Sequence, residues 1–69
     1  MDPKVVKNNF TYHKPTEKTI PKYETIREEG KTFSEKINDM CPESREKSIV
    51  LRKIEEAVMW ANASVARNE

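Results

Sequence analysis

Glycine, cysteine and histidine each occur only once in the sequence. The single glycine, Gly30, excludes a glycine-rich phosphate-binding loop and disfavours an all-β fold, which needs several turn glycines. Cys41 has no second cysteine with which to form a disulfide within the chain, which argues against a disulfide-stapled secreted domain. Together, Cys41 and His13 are too few for a structural zinc site. These absences favour a small helical protein that has no metal centre.

The chain also lacks an excess of one charge and a long apolar run. Its 13 Lys and Arg residues against 12 Asp and Glu leave a net charge of +1, so binding to a DNA or RNA polymer, which needs a basic surface, is not expected. The longest uncharged stretch of the second half, residues 57–66, falls well short of the ~20 residues that a membrane span requires. No apolar secretory segment follows Met1. We therefore expect a cytosolic protein with no membrane partner.

Apolar residues between Thr19 and Met40 recur at the spacing of one helical face. With Thr19 as N-cap, Pro21 falls in the first turn, where its missing N–H does no harm, and Thr16 could cap a separate short turn before it. Gly30 lies on the same face, either as a tolerated defect or as a point of close approach by another helix or a ligand. The face consists of Ile20, Tyr23, Ile26, Phe33, Ile37 and Met40.

A second helix is predicted after a break at residues 38–42. Pro42 suits its first position and Glu43 its first turn, and the pattern then continues to about Arg67. The predicted core face consists of Val50, Ile54, Ala57, Val58, Ala61 and Val65. The short break implies an all-α fold, an antiparallel two-helix hairpin over residues 16–69. Residues 1–15 form an N-terminal arm, which could be extended, partly disordered or a short helical turn.

Further apolar residues of the second helix lie outside this core face. They are Ile49, Leu51, Met59, Trp60, Ala63 and Ala66. A single partner helix cannot cover so wide an apolar surface, and small chains often gain stability by oligomerising. We therefore expect a homo-oligomer. The alternative is that the N-terminal arm folds back over Trp60 and covers this surface within one chain.

The sequence offers no convincing catalytic group. Cys41 and His13 are a conceivable nucleophile and base, but no feature of the sequence places them together, and paired glutamates such as residues 55–56 point in different directions on a helix. We therefore expect that the protein is not an enzyme. Tyr23, Arg27 and Lys31 form a line along the first helix, which is either a solvated edge or a place for a base and a phosphate.

Three segments together resemble the phage anti-CBASS sponge proteins, which share a helical-hairpin domain with the Thoeris anti-defence sponges. These segments are Tyr12–Thr16, Tyr23–Arg27 and Cys41–Glu69. The strongest part of the resemblance runs from Ser44 to Ser48, through Glu55 to Asn62, to Ala66 and Arg67. It covers residues 12–69, and the first eleven residues contribute nothing to it.

The resemblance implies a compact homo-oligomer, with a hexamer as the expected state, that needs no cofactor. Proteins of this kind bind the cyclic oligonucleotide second messengers, such as cyclic GMP-AMP, that bacterial immune systems make after infection. They break no bond in the ligand, and its removal keeps the immune effector silent. The expected location is the cytoplasm of the infected bacterial host.

The resemblance also implies which residues bind the ligand. Tyr12 matches the aromatic residue that stacks on a base, and Arg27 matches the basic residue that meets a phosphate. Arg67 matches an arginine of a second pocket, for cyclic trinucleotides, with His13 as a possible neighbour. The family pattern has a threonine two residues after the basic residue of the first helix. This chain has Glu29 there, whose carboxylate would repel a phosphate at the second pocket.

The sequence also allows two alternative functions. The first is a helical interaction module that binds a host protein through the exposed face around Trp60. The second uses the same scaffold as a sponge for the ADP-ribose-type signals of the Thoeris system. The identity of the preferred nucleotide depends on pocket shape, which residue spacing does not reveal.

Overall fold

The computed structural model describes residues 1–69, and these residues form three helices and no strand. The helices are α1 (Pro3–Asn9), α2 (Ile20–Met40) and α3 (Arg45–Asn68). The predicted all-α class is therefore confirmed. The molecule measures 44 × 31 × 12 Å, so it is a thin plate rather than a sphere. Its radius of gyration, 15.1 Å, exceeds the ~11 Å of a compact chain of this length.

The start of α2 follows the prediction in position and differs in detail. Thr19 is the N-cap residue and Pro21 lies in the first turn. The Thr19 hydroxyl makes no capping bond to α2, because it accepts a hydrogen bond from the Thr16 backbone N–H at 2.8 Å. The Thr16 hydroxyl in turn accepts from the Thr19 N–H at 3.2 Å. The predicted separate turn at Thr16 is thus present, and it buries Thr19 to 6% exposure.

The start of α3 was predicted wrongly. The helix begins at Arg45 rather than Pro42, and Glu46 rather than Glu43 is the acidic residue of its first turn. The reason is Ser44, whose hydroxyl accepts a hydrogen bond from the Lys47 backbone N–H at 3.1 Å and thereby satisfies one of the free donors at the helix start. Pro42 instead closes α2, because the residue before a proline is driven into an extended conformation.

α2 and α3 pack side by side as an antiparallel hairpin. The half-buried residues of α2 follow one line along the helix: Tyr23, Ile26, Gly30, Ser34 and Ile37. The predicted core members Ile20, Phe33 and Met40 lie to either side of this line and remain 43%, 52% and 80% exposed. On α3, Ala57 is also exposed, contrary to the prediction. Ile54 is the one buried apolar residue, at 8% exposure, so a single hairpin has almost no core of its own.

Gly30 lies at a point where the two helices approach each other closely. A Cβ atom built on Gly30 would collide with Cγ2 of Val58 on α3. Of the two interpretations of this glycine, close approach by another helix is therefore the correct one. The absence of a side chain at this position lets α3 lie against the backbone of α2.

Replacing Gly30 with alanine is expected to destabilise the fold, although alanine is the better helix former by about 1 kcal/mol. Val58 is β-branched and has little rotamer freedom in a helix, so the overlap forces the helices apart at a cost of about 1–3 kcal/mol. Urea unfolding at one fixed protein concentration measures the net loss.

The same substitution in a Val58→Ala background provides the control. Alanine at position 58 lacks the Cγ2 methyl group that the new side chain would meet, so Gly30→Ala should stabilise the protein in this background. The change in unfolding free energy caused by Gly30→Ala should therefore have opposite signs in the two backgrounds. A Gly30→Ala protein that is more stable than the parent would show that the helices do not approach so closely.

The N-terminal arm contains a short helix, in agreement with one of the three predicted states. The Asp2 carboxylate caps α1 by accepting from the Lys4 backbone N–H at 2.8 Å. The Asn8 side-chain amide donates to the backbone carbonyl of Arg67 at 3.0 Å and so ties α1 to the end of α3. The arm nevertheless leaves Trp60 61% exposed, so it does not cover the second apolar surface within one chain.

The open end of the hairpin carries an ion pair. Lys22, in the first turn of α2, pairs with the Glu69 carboxylate after the end of α3. The hydrogen bond from Lys22 lowers the pKa of the Glu69 carboxyl below its ordinary value. Both side chains are partly exposed, so this pair contributes little to the stability of the fold. No helix has the combination of length and hydropathy that a membrane span would need.

Candidate ligand-binding site

Tyr12 lies in the extended segment that joins the short N-terminal helix to α2. Its side chain is 80% exposed, and no hydrogen bond to another side chain holds it. Phe10, two residues earlier, is 88% exposed. An aromatic ring with free faces can stack on a nucleobase, an interaction worth about 1–3 kcal/mol per base.

Arg27 lies on α2 with its side chain exposed, one turn after the half-buried Tyr23 and one turn before Lys31. No carboxylate forms an ion pair with it. Its guanidinium is therefore free to bind an anion, and its planar fork suits a bidentate contact with a phosphate.

A single chain does not join Tyr12 to Arg27. No hydrogen bond or cation–π contact connects them, and neither residue lines one of the larger cavities. Each is presented on the surface as a separate contact group.

His13 and Arg67 are brought to the same end of the molecule by Asn8. The His13 Nε2 atom lies 3.0 Å from the backbone oxygen of Asn8, while the Asn8 side-chain amide holds the Arg67 carbonyl. The guanidinium of Arg67 lies over the ring of Trp60, with Cζ 5.9 Å from the ring centroid. Two of the predicted site residues are thus neighbours through one connecting residue.

A cleft of about 570 Å³, which we call the α1–α3 cleft, opens between α1 and the end of α3. Its lining contains two cations and no carboxylate, in a chain whose total charge is only +1. The lining residues are Lys4, Val5, Asn8, Asn9, Trp60, Ala63, Ser64, Arg67 and Asn68. Lys4, Asn8 and Trp60 line this cleft and were not among the predicted site residues, although the spacing of Trp60 and Arg67, two helical turns apart, would have placed those two together.

A second, larger concavity of about 840 Å³ runs along one side of the α2–α3 hairpin, and we call it the apolar groove. Its floor is mostly aliphatic, with Phe33 from α2 and Ala57 and Ala61 from α3. Its charged members are Glu29, Lys36 and Lys53. Glu29 therefore lines the groove and not the α1–α3 cleft, where Arg67 lies.

No group of three or more His, Cys, Asp or Glu side chains lies close enough together to hold a metal ion. Cys41 is half-buried at the end of α2, where its backbone N–H donates to the Ile37 carbonyl at 3.0 Å. His13 is occupied with Asn8 in the arm, so the structure does not bring Cys41 and His13 together as a nucleophile and base.

Comparisons with curated proteins and with solved structures find no match. The family model described as Acb2/Tad1, hairpin domain, matches residues 1–66. The match begins at residue 1, so it includes α1 and the first eleven residues, on which the sequence resemblance found no motif. With nearly the whole chain matched, the protein belongs to the Acb2/Tad1 hairpin-domain family, the phage anti-defence sponges of the CBASS and Thoeris systems.

Proposed function

We propose that this protein binds cyclic oligonucleotide second messengers and sequesters them without cleavage, so that CBASS effectors are not activated. The observation that carries this proposal is the family match over residues 1–66, because this family acts against bacterial defence as a sponge. The site of action is the cytoplasm of the infected bacterium, where the messenger is made. A host protein as the target is not favoured.

The chemistry of the first ligand site rests on Tyr12 and Arg27. The exposed Tyr12 ring stacks on a base, and the unpaired Arg27 guanidinium takes a phosphate. A near-neutral protein suits this task, because a small dianion needs a few placed cations at each site and not a basic surface. Arg67, with His13 near it, forms the second site, for cyclic trinucleotides.

The protein acts as a homo-oligomer, with a hexamer as the expected state. The support for this is physical: one hairpin buries a single apolar residue, Ile54, while large apolar side chains such as Ile20 and Phe33 remain 43% and 52% exposed. A stable protein must bury more than this, and a second copy of the chain seated in the apolar groove would cover Phe33 and the alanines of α3. Assembly also offers a way to bring Tyr12 of one chain near Arg27 of another.

Isothermal titration against a panel of ligands tests the proposed function. The panel contains cyclic GMP-AMP, other cyclic dinucleotides, cyclic trinucleotides and ADP-ribose-type Thoeris signals. We expect saturable binding of at least one cyclic oligonucleotide. Binding of the ADP-ribose-type signals alone would contradict the proposed ligand and assign the sponge role to Thoeris, and no binding to any member of the panel would contradict the sponge role itself.

Replacing Tyr12 with alanine is expected to weaken the binding of cyclic dinucleotides by about 5- to 150-fold, because a stacked base is lost. Tyr12→Phe keeps the ring and should bind nearly as well as the parent. Phe10→Ala is the matched control, since it removes an equally exposed aromatic residue from the same arm. Equal losses for Phe10→Ala and Tyr12→Ala would mean that Tyr12 has no specific role.

A further inference from the structure

Trp60 is the only tryptophan of the chain, and it lies on the outer side of α3 with 61% of its surface exposed. Its indole N–H donates to the Glu56 carboxylate, one turn before it, at 3.4 Å. The guanidinium of Arg67, two turns after it, lies over the ring at 5.9 Å from the centroid. The ring is therefore oriented from both sides along the helix while much of its surface stays accessible.

The surroundings of this ring match the chemistry of a nucleotide. The α1–α3 cleft places Lys4 across from Arg67, so two cations face a space of about 570 Å³ whose lining has no carboxylate. Lys4 forms no ion pair, so its ammonium group is free. The Glu56 carboxylate lies outside the lining and is engaged by the indole N–H, with Lys53 at 3.8 Å. The lining also contains the amide side chains of Asn8, Asn9 and Asn68. The amide nitrogens of Asn8 and Asn68 already donate to the backbone carbonyls of Arg67 and Ser64, and their amide oxygens remain as acceptors for the edge of a base.

The wall of the cleft formed by α1 is held in place by a long-range contact. The Asn8 side-chain amide on α1 donates to the backbone carbonyl of Arg67 on α3. This hydrogen bond holds α1 against the same residue whose guanidinium lines the cleft. A pre-oriented ring and a pre-oriented cation bind a ligand at a smaller entropic cost than mobile side chains do.

We propose that Trp60 contacts the ligand in the α1–α3 cleft: its indole stacks on a base of a cyclic trinucleotide, while Arg67 and Lys4 hold the phosphates. This inference rests on the proposed function and adds two residues to the second site, one from α3 and one from α1. The base occupies the accessible surface of the ring, and the neighbouring guanidinium lies within reach of the phosphate linked to that base.

The single tryptophan makes the proposal directly measurable. Titration with cyclic tri-adenosine monophosphate is expected to quench the intrinsic fluorescence of Trp60, with the same midpoint that calorimetry gives for binding. The Tyr12→Ala protein should show the same quenching, because its defect lies at the first site. Cyclic GMP-AMP, which occupies the first site, should leave the emission nearly unchanged.

Substitutions give the second readout. Trp60→Ala is expected to weaken the binding of cyclic tri-adenosine monophosphate by about 5- to 150-fold, and Trp60→Tyr should restore most of it because a ring is again present. Lys4→Ala should weaken it as well. Met59→Ala is the matched control, since Met59 is a neighbouring exposed side chain, at 69%, that does not line the cleft. Circular dichroism and light scattering verify that each variant keeps its helices and its assembly.

The outcomes separate this inference from the proposed function. If calorimetry detects the trinucleotide but Trp60→Ala binds it as the parent does, Trp60 is not a contact and the inference fails while the sponge function stands. If only cyclic dinucleotides bind, the second site is absent and the inference fails again. If no member of the ligand panel binds, the proposed function itself is wrong.

Discussion

Replacing Arg27 with alanine is expected to weaken the binding of cyclic dinucleotides by well over tenfold. The guanidinium is exposed and has no carboxylate partner in the chain, so the substitution removes a phosphate contact without leaving an internal charge unpaired. Hydrogen bonds to charged groups contribute about 1.5–3 kcal/mol each, and a tenfold change corresponds to 1.4 kcal/mol. Isothermal titration at one fixed salt concentration measures the loss.

Lys31→Ala is the matched control for Arg27→Ala. Lys31 lies one turn later on α2, so both variants lose one positive charge on the same side of the helix. Because salt screens the long-range part of this charge, Lys31→Ala should change the affinity by less than about threefold. Arg27→Lys should bind with intermediate affinity, since a lysine acts as a point charge and cannot make the bidentate contact. Equal effects of Arg27→Ala and Lys31→Ala would show that Arg27 is not the phosphate ligand.

Replacing Phe33 with aspartate is expected to dissociate the homo-oligomer. Phe33 is 52% exposed in the single chain and lines the apolar groove, where the proposed second copy would cover it. An unpaired charge at such a contact costs several kcal/mol, and in a symmetric assembly the cost recurs at each equivalent interface. Light scattering should change from a multiple of 8.1 kDa for the parent to a mass near 8.1 kDa for the variant.

Met40→Asp is the control for the aspartate substitution. Met40 is 80% exposed at the end of α2 and does not line the groove, so this variant should keep the parental mass. Since Phe33 is half exposed in one hairpin, Phe33→Asp should retain its helical circular dichroism. A parent protein that is monomeric at micromolar concentration, or a Phe33→Asp protein of unchanged mass, would contradict the proposed assembly.

Local signals explain which parts of the fold were predictable from the sequence. The periodic apolar residues of α2 and the proline in its first turn, Pro21, place that helix as predicted, because both signals act within a few residues. Thr19 is at the predicted N-cap position, but its hydroxyl accepts from the Thr16 N–H and makes no capping bond to α2. Pro42 and Ser44 are both residues that favour a helix start. The α3 helix begins after Ser44, because the Ser44 hydroxyl accepts a hydrogen bond from the Lys47 backbone N–H. The choice between two such neighbouring signals depends on backbone geometry that residue order alone does not determine.

The parts that sequence reasoning missed depend on contacts between distant residues. Phe33 follows the helical period as its neighbours do, but it lies beside the half-buried line that contains Gly30 and Ile37, and it lines the apolar groove. The two walls of the α1–α3 cleft are joined by a hydrogen bond between Asn8 and Arg67, which are 59 residues apart, and no local sequence pattern predicts this contact. The sequence placed Tyr12 and Arg27 by family resemblance, and their roles stay predictions until ligand binding is measured.

Recovery of the ligand after binding tests the central claim most directly. Cyclic GMP-AMP is incubated with the protein, unbound ligand is removed, the protein is heat-denatured, and the released ligand is identified by mass spectrometry. A sponge should release cyclic GMP-AMP of unchanged mass, in a fixed ratio to protein chains, after incubation of any length. A linear or hydrolysed product that accumulates with time, or no retained nucleotide of any kind when the other messengers of the panel are tested in the same way, would contradict sequestration without cleavage.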